Sequence, residues 1–253
     1  MPVGSGFFQN LFFIADLRNF EKPNFRNMNF TIKKFFREGI KWNIVFLGSV
    51  IITVFIIPVF PPTLHRMLYD LSLTMIFLLG FLNSEKRHPA FLPVSVVTVV
   101  LLWVSAYLEL PVLFTLSYSL NIMFFGIVII GLIKHLINSK TVTIKIILEA
   151  IIIYLLIGLI FAMVISLMDH FDPRAFSFQG RDLSGNGDRL NDFIYFTFVT
   201  LSTTGYGDII PLQPYARSLT IFMAITGQMY MAIIIAMLVG KYAASRQDDK
   251  NEE

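Results

Sequence analysis

Thr203-Thr204-Gly205-Tyr206-Gly207-Asp208 is the stretch of this sequence whose residue types and spacing can do chemistry. Glycine takes positive φ without the steric penalty that a Cβ brings. With glycine at alternate positions, 205 and 207, successive backbone carbonyls can turn to one side, which an all-L strand does not allow. Several copies of such a loop around one axis make rings of carbonyl oxygens. Rings of that kind replace the hydration shell of a bare cation. The Thr203 hydroxyl adds one more oxygen at the start of the row.

Other chemistry is poorly represented. The chain has no cysteine, so thiol catalysis, disulfides and cysteine metal sites are excluded. The four histidines, 65, 88, 135 and 170, are scattered without ligand spacing. No nucleophile–base set or phosphate-binding loop occurs, so no catalytic residue is assigned and an enzyme is not expected.

The hexapeptide, with Ser202 before it, resembles the selectivity filter of the tetrameric potassium channels, Thr-Thr-x-Gly-Tyr-Gly-Asp. Ser202 replaces the first threonine, and Thr204 sits at the variable position. The resemblance implies potassium as the permeant ion. It implies ion sites from the carbonyls of Thr203, Thr204, Gly205 and Tyr206 and the Thr203 hydroxyl, with Gly207 completing the filter. Tyr195, Val199 and Asp208 fall where that family supports its filter. Many relatives place two tryptophans where this chain has Tyr195 and Phe196, and some keep a glutamate at the position of Val199. Tyr195 can still reach Asp208, whereas Phe196 has no donor for Tyr206. Fewer bonds hold a buried network less firmly. The expectation is a filter that selects potassium but inactivates differently, unless apolar packing compensates.

The surrounding elements must position this loop in a bilayer. Of 253 residues, 55% are hydrophobic and 15% charged. The charged share of a soluble domain is about 25%. Mean hydropathy is +0.69. A helix needs roughly 20 apolar residues to span a bilayer. Six segments qualify, 42–60, 67–82, 90–108, 112–133, 146–168 and 218–240, with Pro61-Pro62, Pro89 and Pro111 marking breaks. Placing the N-terminus inside puts fifteen of the twenty Lys and Arg on the inner side. That bias predicts cytoplasmic N- and C-termini. The net charge of +3 is an orientation signal, and no nucleic-acid partner is expected.

Residues 142–241 read as a pore unit of span, pore helix, filter and span. Asn191 or Asp192 is the expected cap of a pore helix beginning near Phe193 and ending about Ser202. Its negative C-terminal end favours a cation. Gly227 aligns with the family's inner-helix hinge, or else serves close packing. Ala232, Ala236 and Gly240 share one face and allow inner helices to approach, with Ile233 or Met237 as gate candidates. The loop 169–192, with its Gly185-Asn186-Gly187 turn, reads as a solvated, net acidic turret.

Residues 42–138 form a four-helix transmembrane unit. Its fourth span has no charge between Val112 and Ile133, and only Lys134 and His135 follow. Steep voltage response needs about three or four gating charges per subunit, so weak or absent voltage sensing is expected. An Arg66–Asp70 pair and a Lys145–Glu149 pair are expected at helical spacing, and Glu109 at a wet span end. Residues 1–41 carry two amphipathic segments, the second basic, which suit the membrane interface. Residues 242–253 are a short cytoplasmic tail.

The expected fold class is thus all-α integral membrane, with six transmembrane helices, a re-entrant pore helix and a filter loop. The expected assembly is a homotetramer in a plasma membrane. Membrane lipids are further partners, anionic ones at the basic N-terminal segment. A nonselective cation channel and a nonconducting accessory subunit remain the alternatives.

Overall fold

The computed structural model describes residues 40–83, 91–108, 111–139, 141–178 and 189–251. Residues 1–39 of the expected interfacial region 1–41, Glu109 and the 185–187 turn lie outside them, while Ile40 and Lys41 begin the first helix. Contacts divide the chain into residues 1–40 and residues 41–253, and the second unit carries everything below.

Helix α1, Ile40–Ile51, continues through a π-helical stretch, Ile52–Ile56, and a 3₁₀ turn, Ile57–Val59. Then come α2 (Pro62–Asn83), α3 (Phe91–Leu108), α4 (Pro111–Asn138) and α5 (Ile144–Phe171). A strand β1 (Phe176–Phe178), a short helix α6 (Leu190–Leu201), a strand β2 (Ile209–Pro211) and the long helix α7 (Pro214–Asn251) complete the order.

Proline starts three of these helices, at 62, 111 and 214. At the first helical position its missing N–H costs nothing and its φ is preset. Helix α2 accordingly begins at Pro62, five residues ahead of the expected start at 67. Among the described residues, four segments are long and apolar enough to cross a membrane: Ile40–Val59, Val112–Asn138, Ile144–Phe171 and Pro214–Ala243. Helices α2 and α3 occupy the second and third places of the expected order.

Neighbours in sequence pack against each other. Helix α3 lies against α2 and α4, α4 against α5, and α5 against both α6 and α7. Phe77 of α2 meets the Phe124 ring edge-on at 4.4 Å and stacks on Phe125 at 5.3 Å. Such pairs add about 1 kcal/mol beyond their burial. In α1, Thr53 donates its hydroxyl to the Ser49 carbonyl at 2.8 Å and also meets the Ser72 hydroxyl of α2. A threonine bonding back in this way bends a helix, and the π-helical stretch begins one residue earlier.

Two features depart from the sequence reading. One is a two-stranded antiparallel sheet in an otherwise helical chain, pairing Phe176 with Pro211 and Phe178 with Ile209. The backbone leaving the filter needs partners once it is buried, and β1 supplies them. The other is the environment of Glu149, which is 3% exposed. Lys145 lies 3.8 Å from it, as its spacing suggests. Asn43 Nδ2 also donates to it at 3.1 Å, and His135 Nδ1 lies 2.5 Å from its other oxygen. The carboxylate therefore ties α1, α4 and α5 together. Glu149→Ala strands those partners, and removing one member of a buried pair costs about 3 kcal/mol. Thermal unfolding of the purified protein is expected to shift down by several degrees.

Candidate functional site

Helix α6 aims its end at the filter. It begins at Leu190 with Arg189 in the cap position and no side-chain cap bond, which corrects the expected start near Phe193. Asn191 does not cap it: it is the second helical residue, and its Oδ1 accepts from the Tyr69 hydroxyl at 3.3 Å. Arg189 holds Asp169 at 3.1 Å and lies over the Phe178 ring at 5.7 Å. The described ends of the 169–192 loop are thus bonded rather than simply solvated.

Asp172 is bonded as well. Its carboxylate accepts from the Tyr215 hydroxyl at 2.5 Å and from the Arg174 N–H at 3.0 Å. The tyrosine bond first, and the backbone bond second, hold its carboxyl below the usual range. A lowered folded pKa contributes stability above the unfolded value, about 4, and loses it as pH falls through the folded one. Tyr215→Phe removes the larger cause. The thermal midpoint of the variant should therefore fall less between pH 7 and pH 3 than that of the parent protein.

One face of α6 is buried through Leu190, Phe193, Ile194, Phe196, Thr197 and Leu201. Phe196 meets Phe176 of β1 edge-on at 5.6 Å. Gly158 of α5 makes room for Phe198, whose ring would lie 2.4 Å from an added Cβ.

The last carbonyls of α6 grip the start of the filter. Thr203 N–H donates to the Thr200 carbonyl at 3.0 Å. The N–H groups of Thr204 and Gly205 both reach the Val199 carbonyl, at 2.9 and 3.3 Å. The Ser202 hydroxyl donates to that oxygen at 3.2 Å. The Val199 carbonyl therefore anchors the start of the 203–207 loop, which its apolar side chain did not signal.

Positive φ recurs at every second residue: 60° at Thr203, 54° at Gly205 and 78° at Gly207. The glycines were expected there and the threonine was not. A non-glycine residue in this region costs about 1–2 kcal/mol. The Thr203 hydroxyl donates to the Ser202 carbonyl at 2.7 Å and accepts from Gln228 Nε2 at 3.4 Å. Sequence reasoning missed Gln228. Its only signal was a polar side chain in a charge-free apolar run.

Residues 202–207 are exposed on the single chain, Tyr206 at 71%. No atom lies within 4 Å of a Cβ built on Gly205 or Gly207. The filter backbone thus faces open space. Tyr195 and Asp208 both line a cavity behind it, together with Val199 and Ser202.

Helix α7 runs unbroken from Pro214 to Asn251, so residues 242–251 continue the inner helix. Gly227 is buried, and a Cβ there would come within 2.2 Å of the Leu201 carbonyl oxygen. This position serves close approach of α7 to the end of α6. Ala232, Ala236, Gly240 and Ile233 are exposed, whereas Met237 packs on the core and leaves that face.

Lys241 Nζ donates to the carbonyls of Leu136, Ile137 and Ser139 at 2.7, 2.9 and 2.6 Å. A cation at a helix C-terminus satisfies orphan carbonyls and the dipole together. The inner end of α7 is thereby fastened to the end of α4. Lys241→Met should leave ion selectivity unchanged and shift the open–closed balance about tenfold, equivalent to about 1.4 kcal/mol. Single-channel recording separates the two quantities.

Residues 146–243 match a family model described as an ion channel. Over 35 residues the chain is 49% identical to "Potassium channel K1" of Plasmodium berghei (strain Anka), a stretch covering 14% of this chain and 2% of that protein. The aligned stretch is thus a small fraction of that relative's length. No solved structure matches the chain. Apolar spanning helices and these two similarities lead to one assignment: residues 146–243 of this integral membrane chain form an ion-channel domain similar to that of potassium channels.

Proposed function

We propose that the chain forms a homotetrameric, potassium-selective channel in the plasma membrane, with both termini cytoplasmic and weak or no intrinsic voltage sensing. The observation that carries this reading is the alternation of positive φ at 203, 205 and 207 in a loop that faces open space. Four such loops around one axis place carbonyls of Thr203, Thr204, Gly205 and Tyr206 at successive levels, where they substitute for water around potassium. One filter per chain requires four chains. Helices α2 and α3 supply the two remaining spans of a six-span plan. Helix α4 carries no charge before Lys134, and the only other titratable group at its end, His135, is engaged by Glu149. That leaves little gating charge to move.

The test is a planar bilayer holding the purified protein, with potassium on one side and sodium on the other. Reversal near the potassium limit is expected. A second reading, a nonselective cation channel, draws support from Phe196, whose ring lies on Phe176 and offers Tyr206 no donor. Reversal near zero would select it.

A further inference from the structure

The loop that leaves α6 is held from two sides. The α6 carbonyls hold its start as far as Gly205, whose N–H reaches Val199 at 3.3 Å. Its exit runs into β2, which pairs with β1 in the register Phe176–Pro211, Ser177–Ile210 and Phe178–Ile209. Leu212 N–H donates to the Ala175 carbonyl at 2.8 Å. Hydrogen-bonded and non-bonded pairs alternate along an antiparallel ladder, so Ser177–Ile210 is the next bonded pair and Phe176–Pro211 is not. Pro211 thus sits where its missing N–H costs no ladder bond. Ile209 N–H turns away from β1 and donates to the Asp208 carboxylate at 3.1 Å. Side chains alternate between the faces of a strand, so Phe176 and Phe178 share one face, and both are buried. That face lies on α6. The Phe176 ring is 5.9 Å from Phe193 and edge-on to Phe196 at 5.6 Å, and Phe178 is 5.8 Å from Phe193.

We propose that β1 is a strap that fixes the exit of the filter, and that Phe176 is its positioning residue. Helix α6 then holds both ends of the loop: the start through its last carbonyls, the exit through Phe193 and Phe196, Phe176, β1 and β2 in turn. Phe196 offers Tyr206 no donor, and its ring acts on the far end of the loop by way of Phe176. The stretch between the two holds is short, so fixing 209–211 limits how far the carbonyls of Gly205 and Tyr206 can turn. A row of carbonyls substitutes for water only while each oxygen faces the ion. The strap is made within one chain, so each copy carries its own. Its effect on permeation rests on the channel reading above, whereas its effect on the loop is read without any current.

The test is amide hydrogen exchange of the full chain in lipid nanodiscs, read by mass spectrometry on peptides covering 203–208, which β1 does not pair. Two variants loosen the strap by different routes. Phe176→Ala removes the ring that keys β1 to α6, and Ser177→Pro removes a ladder N–H while leaving both rings in place. Each should speed exchange at 203–208 about tenfold while peptides of α5 keep the parent's rates. The chain has no cysteine, so Ser177→Cys with Ile210→Cys adds one clean pair. A bonded antiparallel pair has Cα atoms about 5.5 Å apart, inside the disulfide range of roughly 4.4–6.8 Å. Added to Phe176→Ala, the oxidised pair should restore slow exchange, and reduction should undo the rescue. In bilayers the potassium-to-sodium permeability ratio should fall about tenfold in Phe176→Ala and return on oxidation. Unchanged exchange at 203–208 in both variants overturns the proposal. Faster exchange spread evenly through α5 overturns it in favour of general destabilisation, and failure of the disulfide to rescue overturns it in favour of core packing alone. Altered exchange with an unaltered permeability ratio overturns the positioning role. A parent protein that is itself nonselective defeats the channel reading, and the exchange rates then decide on the strap by themselves.

Discussion

Gly205→Ala is expected to abolish potassium-selective current while the protein still assembles. The reason is conformational and not steric. A Cβ at 205 meets nothing within 4 Å, so no neighbour within the chain has to move. The backbone is at φ 54°, however, where an L side chain costs about 1–2 kcal/mol. In a pore made by four chains the cost falls on every copy, about 4–8 kcal/mol for the filter as a whole. The loop relieves it by returning 205 to negative φ, which turns a carbonyl away from its row. One level of oxygen ligands is then lost from the ion path, and the discrimination of potassium from sodium goes with it. Reversal potentials of Gly205→Ala and the parent protein, with tetramer content from size-exclusion chromatography, provide the check. An alanine variant that keeps full selectivity would mean that the positive φ at this position does not serve ion binding.

Thr203 sharpens the argument, because it already occupies that region of φ without being glycine. Its strain is held by three local groups: the Thr200 carbonyl, the Ser202 carbonyl and the Gln228 amide. At Gly205 only the Val199 carbonyl is available, at 3.3 Å. The same backbone conformation is thus braced at one end of the filter and free at the other. The free end is where glycine is indispensable.

What the sequence disclosed and what it hid follow from the range of the interactions involved. The positive φ at Gly205 and Gly207 was legible because its cause is local: alternating glycines state their own requirement. The helix start at Pro111 was legible to within one residue, whereas α2 starts at Pro62, five residues ahead of the expected 67, because a proline read as a break can also open a helix. Packing was not legible. A spanning helix is apolar all round, so no amphipathic stripe announces which side faces the core. Asn43 and Glu149 are 106 residues apart, and nothing in either neighbourhood points to the other. The same holds for Lys241 and the end of α4, separated by 105 residues at Leu136. The pore-helix start was misplaced for a related reason. Asn191 and Asp192 have the right chemistry for a cap, but Tyr69 claims Asn191 and the chain turns helical one residue earlier. Val199 was read through its side chain, whereas its carbonyl does the holding.

Gly227→Ala decides between the two roles open to that residue. A hinge glycine replaced by alanine should give a protein that assembles normally and gates with altered kinetics, since alanine stiffens a helix by only about 1 kcal/mol. The packing role predicts a larger failure. The new Cβ would lie 2.2 Å from the Leu201 carbonyl oxygen and 2.9 Å from both its carbonyl carbon and Cα. These are backbone atoms of the last residue of α6, and they cannot rotate aside as a side chain can. Either α7 withdraws or the end of α6 is displaced, and that end carries the carbonyls that grip Thr203, Thr204 and Gly205. Overpacking of this kind costs about 3 kcal/mol per chain. The expected outcome is a lower thermal midpoint together with loss of selective current. Gly126→Ala is the matched control, a helical glycine whose added Cβ meets nothing within 4 Å. It should melt and conduct as the parent does. Should Gly227→Ala keep both the parent's stability and its selectivity, the close contact with Leu201 would lose its role and the hinge would be the surviving explanation.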